Sequence, residues 1–145
     1  MDIDLEAAME FAPSAVLAEV ADLPGYTDWH GMVHKVDPDG DGWMVDVGGR
    51  LGPFTKTKRV RLVRTADEAP GHVRFVRAER DRDDFGRWEL AATVDPAEGD
   101  GPCTLHLRLL YDGSSPLAGL LEPVLRAETD KSAARLRTRL ASRSG

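Results

Sequence analysis

Cysteine is almost missing from this sequence. Cys103 is the single one among 145 residues, so an intrachain disulfide and a cysteine-built metal cluster are both excluded, and a reducing compartment fits. Long apolar runs are missing as well: nothing approaches the ~18 residues of a membrane span. The opening MDIDLEAAMEF has neither the basic nor the apolar region of a secretory leader. Together these absences lead us to expect a cytoplasmic protein. Positive charge is in deficit, with 19 Lys and Arg against 25 Asp and Glu, a net charge of −6 and a pI near 5.2. Phosphate backbones want a basic surface, which argues against nucleic acid as the main partner. The local exception is TKTKRVRLVR, Thr55 to Arg64. Its alternation reads as a strand that shows many cations to solvent, with acidic turns nearby to balance them. Histidine is sparse, and His30, His34, His72 and His106 fall on different predicted elements without metal-ligand spacing. They read as surface or edge histidines, and His106 shares parity with Arg108, which turns it outward. No G-x-S-x-G elbow and no triad is found, and Cys103 only borders a GDGPC loop. We expect no metal and no cofactor.

What is present suffices for a globular fold. Hydrophobic residues make up 41% and charged ones 30%, and the length is that of one domain, 1–145, able to bury about two-thirds of its unfolded surface. Ile3, Leu5, Ala7, Met9 and Phe11 alternate with mostly acidic residues, which predicts a first strand with one buried face. APSAVLAEVADLPGY begins at Pro13 as a short helix and stops at Pro24 and Gly25, and a second helical turn runs through Tyr26 to Trp29. Five breaks follow, DPDGDG, LGP, ADEAPG, DRDDFG and DPAEGDGP. They predict six more strands near 31–37, 43–50, 54–65, 72–80, 86–95 and 103–112. From Ser115 the text is helical: Leu117, Leu121, Leu125, Leu136 and Leu140 form a stripe interrupted by Thr129 and Ser132. Pro123 inside it marks either a bend or the first residue of a separate helix. The expected class is α+β: a seven-stranded antiparallel sheet, two short helices after its first strand, and one long C-terminal helix left to cover the apolar face.

The DPDGDG stretch carries a rival reading. Asp37, Asp39, Asp41 and Gly42 reproduce the opening of an EF-hand loop, but its twelfth position is Gly48 and its ninth is Val45, and strands rather than helices flank it. We read it as a hairpin turn.

The order of these motifs resembles the START-related, Bet v-like helix-grip (SRPBCC) superfamily, in its polyketide cyclase-like and CO dehydrogenase accessory-protein-like branches. APSAVLAEVADLPGYTDW is similar to the superfamily's opening, with Tyr26 and Trp29 as an aromatic pair. VGGRLGPFTKTKRVRL is similar to its "lGP" strand region, and SPLAGLLEPVLRAETDKSAARLRTRL to its C-terminal helix. The resemblance implies a cavity between curved sheet and long helix that accepts a small hydrophobic molecule such as a lipid, polyketide or quinone. Strand parity then supplies the lining: Trp88, Leu90, Leu107, Leu109 and Tyr111 from the sheet, Leu121, Leu125 and Thr129 from the helix, and Tyr26 and Trp29 at the domain end or cavity mouth. The same parities equally describe a filled core. Three readings stay open. One is a ligand carrier without chemistry of its own. The second is a polyketide cyclase or aromatase-like enzyme that draws on Tyr111, Arg77 or Glu128. The third is an accessory protein of a redox complex. The residues also leave open a protein partner or a homodimer.

Overall fold

The structure, a computed structural model, describes residues 2–51, 54–65, 69–81, 86–112 and 118–144, without the side chains of 49–51, 54–56, 118–122, 124, 125 and 144. Strand β1 (Asp2–Met9) leads into helix α1 (Pro13–Ala21) and a 3-10 helix (Leu23–Asp28). Six strands follow: β2 (Val33–Asp39), β3 (Gly42–Leu51), β4 (Phe54–Arg64), β5 (His72–Arg77), β6 (Arg87–Asp95) and β7 (Cys103–Asp112). Helix α2 (Ala118–Ser144) comes last. The seven strands form one antiparallel sheet in the order β1-β7-β6-β5-β4-β3-β2.

Local chemistry explains the element ends. Pro13 occupies the first turn of α1, where its missing N–H costs nothing. The β2–β3 turn is two residues long, with Asp39 paired to Gly42 and Gly40 at φ +62°, a conformation that glycine adopts freely. β1 stops at Met9 rather than reaching Phe11. β5 stops at Arg77 rather than running to residue 80, because the Glu79 carboxylate takes the Arg61 N–H at 3.2 Å and replaces the next rung of the ladder.

The DPDGDG carboxylates meet arginine rather than a cation site. Arg61, whose side chain is only 6% exposed, donates to Asp39 at 2.9 Å and also to Asp41, while Arg59 donates to Asp37 at 2.9 Å. These hydrogen bonds hold all three carboxyls below their ordinary range. No cluster able to hold a metal ion occurs among the described residues.

Alternation sorts the sheet into two faces. The outer one is a lattice of charge pairs, including Arg74–Glu89 at 2.5 Å and Arg108–Asp2 at 2.8 Å. The cations of β4 divide: Arg59 and Arg61 stand on this outer face against aspartates, whereas Lys58 and Arg64 take inner-face positions. The inner face is apolar, and α1, the 3-10 helix and α2 lie against it.

Helix α2 is continuous from Ala118 to Ser144 with Pro123 inside it, so Pro123 does not start a separate helix. Thr129, Ser132, Ala133, Leu136 and Leu140 make its buried stripe. Near its end Arg139 reaches Glu19 of α1 at 2.7 Å and Asp28 at 2.6 Å, and Arg143 adds a second contact to Glu19 at 3.1 Å. Among the described residues no helix is long and apolar enough to cross a membrane.

Candidate functional site

Register across the sheet places the inner side chains in rows. Ile3, Leu109, Leu90 and Phe75 form one, and Leu5, Leu107, Ala92 and Val73 the next. On the other side of the first row, Tyr111 lies opposite Trp88, their rings 4.7 Å apart. One step beyond the Val76–Glu89 pair, Arg77 stands beside Trp88 on the same face, and Leu62 opposes Arg77 from β4.

The expected lining residues are thus brought onto one surface. Trp88, Leu90, Leu107 and Leu109 are buried there, and Tyr111 is half-buried at its end. Thr129 is buried on α2, while the side chains of Leu121 and Leu125 lie outside the described residues. Tyr26 and Trp29 close the far side as part of an aromatic cluster. Their rings are 4.5 Å apart, and Tyr26 meets Phe75 edge-on at 6.0 Å. The Tyr26 hydroxyl donates to the Val20 carbonyl at 2.6 Å, and burial raises its pKa well beyond the ordinary phenol value. It is locked as a neutral structural donor.

Three expectations change. His30 is not at the surface: it is buried within the same cluster, its ring stacked 5.7 Å from Tyr26. Its Nδ1 accepts the Met32 N–H at 3.2 Å, and burial, aided by nearby Arg135, pushes its pKa down to about 4. The polar break in the α2 stripe is not open space at Ser132. That hydroxyl donates to the Glu128 carbonyl at 2.7 Å and accepts the Gly31 N–H at 2.8 Å, tying the chain after the 3-10 helix to α2. A side chain at position 31 would meet the Glu128 carboxylate at the same junction, so glycine permits the approach.

The third change concerns Arg77. The inner face is not apolar throughout, because the Arg77 side chain is buried on it, donating to Glu79 at 2.8 Å and to the Gly86 carbonyl at 3.0 Å. The signal was present in the alternation: Val73 and Phe75 face inward, and position 77 continues their parity. The other histidines behave as expected of polar strand residues. His34 and His106 are exposed, and His72 on the outer face contacts the Thr93 hydroxyl at 2.9 Å. Cys103 is buried, its thiol pushed up by burial and directed at the Phe11 carbonyl at 3.6 Å, which suits an inert core residue.

An antiparallel sheet gripping one long helix, with an aromatic-rich interior between them, defines the helix-grip class of ligand-binding folds. The chain belongs to the family described as polyketide cyclase/dehydrase and lipid transport, whose sequence profile matches residues 3–141. No curated protein matches it. Solved structures share the architecture. A protein of Thermus thermophilus superposes with a TM-score of 0.71 at 21% identity, over 100% of both chains. A START superfamily protein of Mycobacterium smegmatis gives 0.69 at 15% identity over 97% of each. An aromatase/cyclase, Zhui, of Streptomyces sp. R1128 gives 0.64 at 15% identity over 100% of this chain and 96% of its own. At these identities the likeness is one of fold.

Proposed function

We propose that this protein binds and carries a small hydrophobic molecule on the inner face of its sheet, between the Trp88–Tyr111 pair and helix α2. The observation that carries this reading is the commitment of the described interior polar groups to structural partners. Tyr26 is held by Val20, Ser132 by Glu128 and Gly31, and Arg77 by Glu79 and Gly86. A general acid or base must reach the substrate's proton, and groups engaged in this way serve packing instead. Apolar surface with a few fixed polar points is what a carrier site requires.

Native mass spectrometry of protein purified without detergent should reveal a co-purified lipophile. In parallel, Leu109→Trp should fill the site and abolish binding of an environment-sensitive lipophilic probe. Unchanged probe affinity in a folded Leu109→Trp protein would remove the site from the inner face.

Buried Arg77 beside Trp88 supports a second reading, an aromatase- or cyclase-like enzyme in which that cation polarises a ketone. Turnover of a poly-β-ketone that disappears in Arg77→Leu while probe binding persists would favour it over carriage.

A further inference from the structure

Two donors in the interior break the rule the other polar groups follow. The indole N–H groups of Trp29 and Trp88 are both buried, and neither has a hydrogen-bond partner among the described residues. Buried donors are rarely left unpaired, because each forfeits its hydrogen bond to water without replacement. Their surroundings differ. Trp29 is enclosed by rings, Tyr26 at 4.5 Å and His30 at 5.4 Å. Trp88 has the half-buried Tyr111 on one side and stands on the inner face beside Arg77. Its donor therefore lies at the end of the apolar row where the interior comes nearest to solvent. The charge beside it is already balanced, because Glu79 holds the Arg77 guanidinium at 2.8 Å.

We infer that the molecule bound here is a neutral ring-bearing ketone or quinone, and that one of its carbonyl oxygens accepts a hydrogen bond from the Trp88 indole. The inference rests on the ligand-binding reading above and narrows its substrate class. An all-hydrocarbon chain would leave the N–H unpaired, so it gains only from apolar contact. A carboxylate would enter beside an arginine whose charge Glu79 already satisfies, and would carry its own charge into an apolar row at a desolvation cost. A carbonyl supplies the missing acceptor without bringing charge. Trp88, rather than Trp29, is assigned because Tyr26 and His30 screen Trp29 from anything entering along the row.

The test uses a matched pair of fluorescent probes. One is 6-propionyl-2-(dimethylamino)naphthalene, and the other is its 6-propyl analogue, in which a methylene replaces the carbonyl. Fluorescence titration of the wild-type protein should show the ketone binding about tenfold more tightly, the worth of one recovered hydrogen bond. In Trp88→Phe, which keeps a ring and deletes the donor, the two should bind alike. In Trp29→Phe the preference should persist. Equal wild-type affinities, or a preference that survives Trp88→Phe, would overturn the inference while leaving hydrophobic binding intact. Binding of neither probe would instead overturn the carrier reading and the inference with it. Should Trp88→Phe fail to fold, the wild-type protein still decides. In proton–nitrogen correlation spectra the Trp88 indole resonance should move downfield with the ketone and not with the propyl probe. The same shift with both, or with neither, would refute the assignment.

Discussion

His30 shows how a single residue can make stability depend on pH. Folded, its imidazole titrates near 4, and in the unfolded chain near 6.5. Above pH 6.5 both states are neutral at this position and nothing is lost. As pH falls from 6.5 towards 4 the unfolded chain takes up a proton that the folded protein refuses, and stability drops by about 3 kcal/mol across that window. Denaturant melts at pH 7 and pH 4.5 should show this loss, and His30→Phe should remove much of it. An equally steep decline in His30→Phe would assign the loss to carboxylates. The burial of His30 could not be read from the sequence, because an isolated histidine after Trp29 looks the same whether the 3-10 helix turns it in or out. Arg77 is the opposite case. Its parity with Val73 and Phe75 was legible, but the ordinary exposure of arginine argued against using it. The Glu79 carboxylate that makes its burial tolerable lies two residues on, beyond the end of β5.

At the scale of elements the seven strands were legible because turn chemistry punctuates them, as at Gly40, and because the alternation within each is clean. Strand ends were less so, since a side chain such as Glu79 can displace a backbone rung without any turn residue announcing it. The placement of α2 was legible from its leucine stripe. What fastens it was not, because Arg139 and Glu19 are 120 residues apart. Glu19 is only 4% exposed on α1 and depends on two arginines from α2. Arg139→Ala would strip the closer of them from a buried carboxylate, and we expect a loss of about 3 kcal/mol. Glu19→Gln combined with Arg139→Ala should recover part of it, because the uncompensated charge is then gone. Urea titrations of the single and double variants check this, and strictly additive losses would show that the pair is not coupled. Pro123 offers a second test on the same helix. It is exposed within an unbroken α2, where it withholds one amide donor from the preceding turn. Pro123→Ala should raise stability, by up to ~3 kcal/mol if the helix bears the full interior penalty. If the bend also admits ligand, stopped-flow release of the bound probe should slow in the same variant. An unaltered release rate would make Pro123 a feature of helix shape alone.

The molecule as a whole divides its charge by face. A net charge of −6 sits on a chain whose outer sheet surface pairs Arg59, Arg61, Arg74 and Arg108 with neighbouring acids. The cation run that looked like an anion site is thereby neutralised within the sheet, at least at Arg59 and Arg61. The apolar interior is left as the surface with chemistry still to offer, and Trp88 is its most specific point.

The pairing of β1 with β7, which sets Asp2 opposite Leu110, also governs how the chain reaches this state. The strand synthesised first among the seven waits for the one synthesised last. Its ladder therefore closes only after some hundred residues have emerged, against the entropy of a very large loop, and topologies of this kind fold slowly. Until then Ile3, Leu5, Ala7 and Met9 have no sheet to join, and the apolar faces of β6 and β5 lack their final cover. During synthesis the protein thus exposes the same surface that it later reserves for its ligand, and a hydrophobic molecule present at that stage would meet the lining before α2 has closed over it.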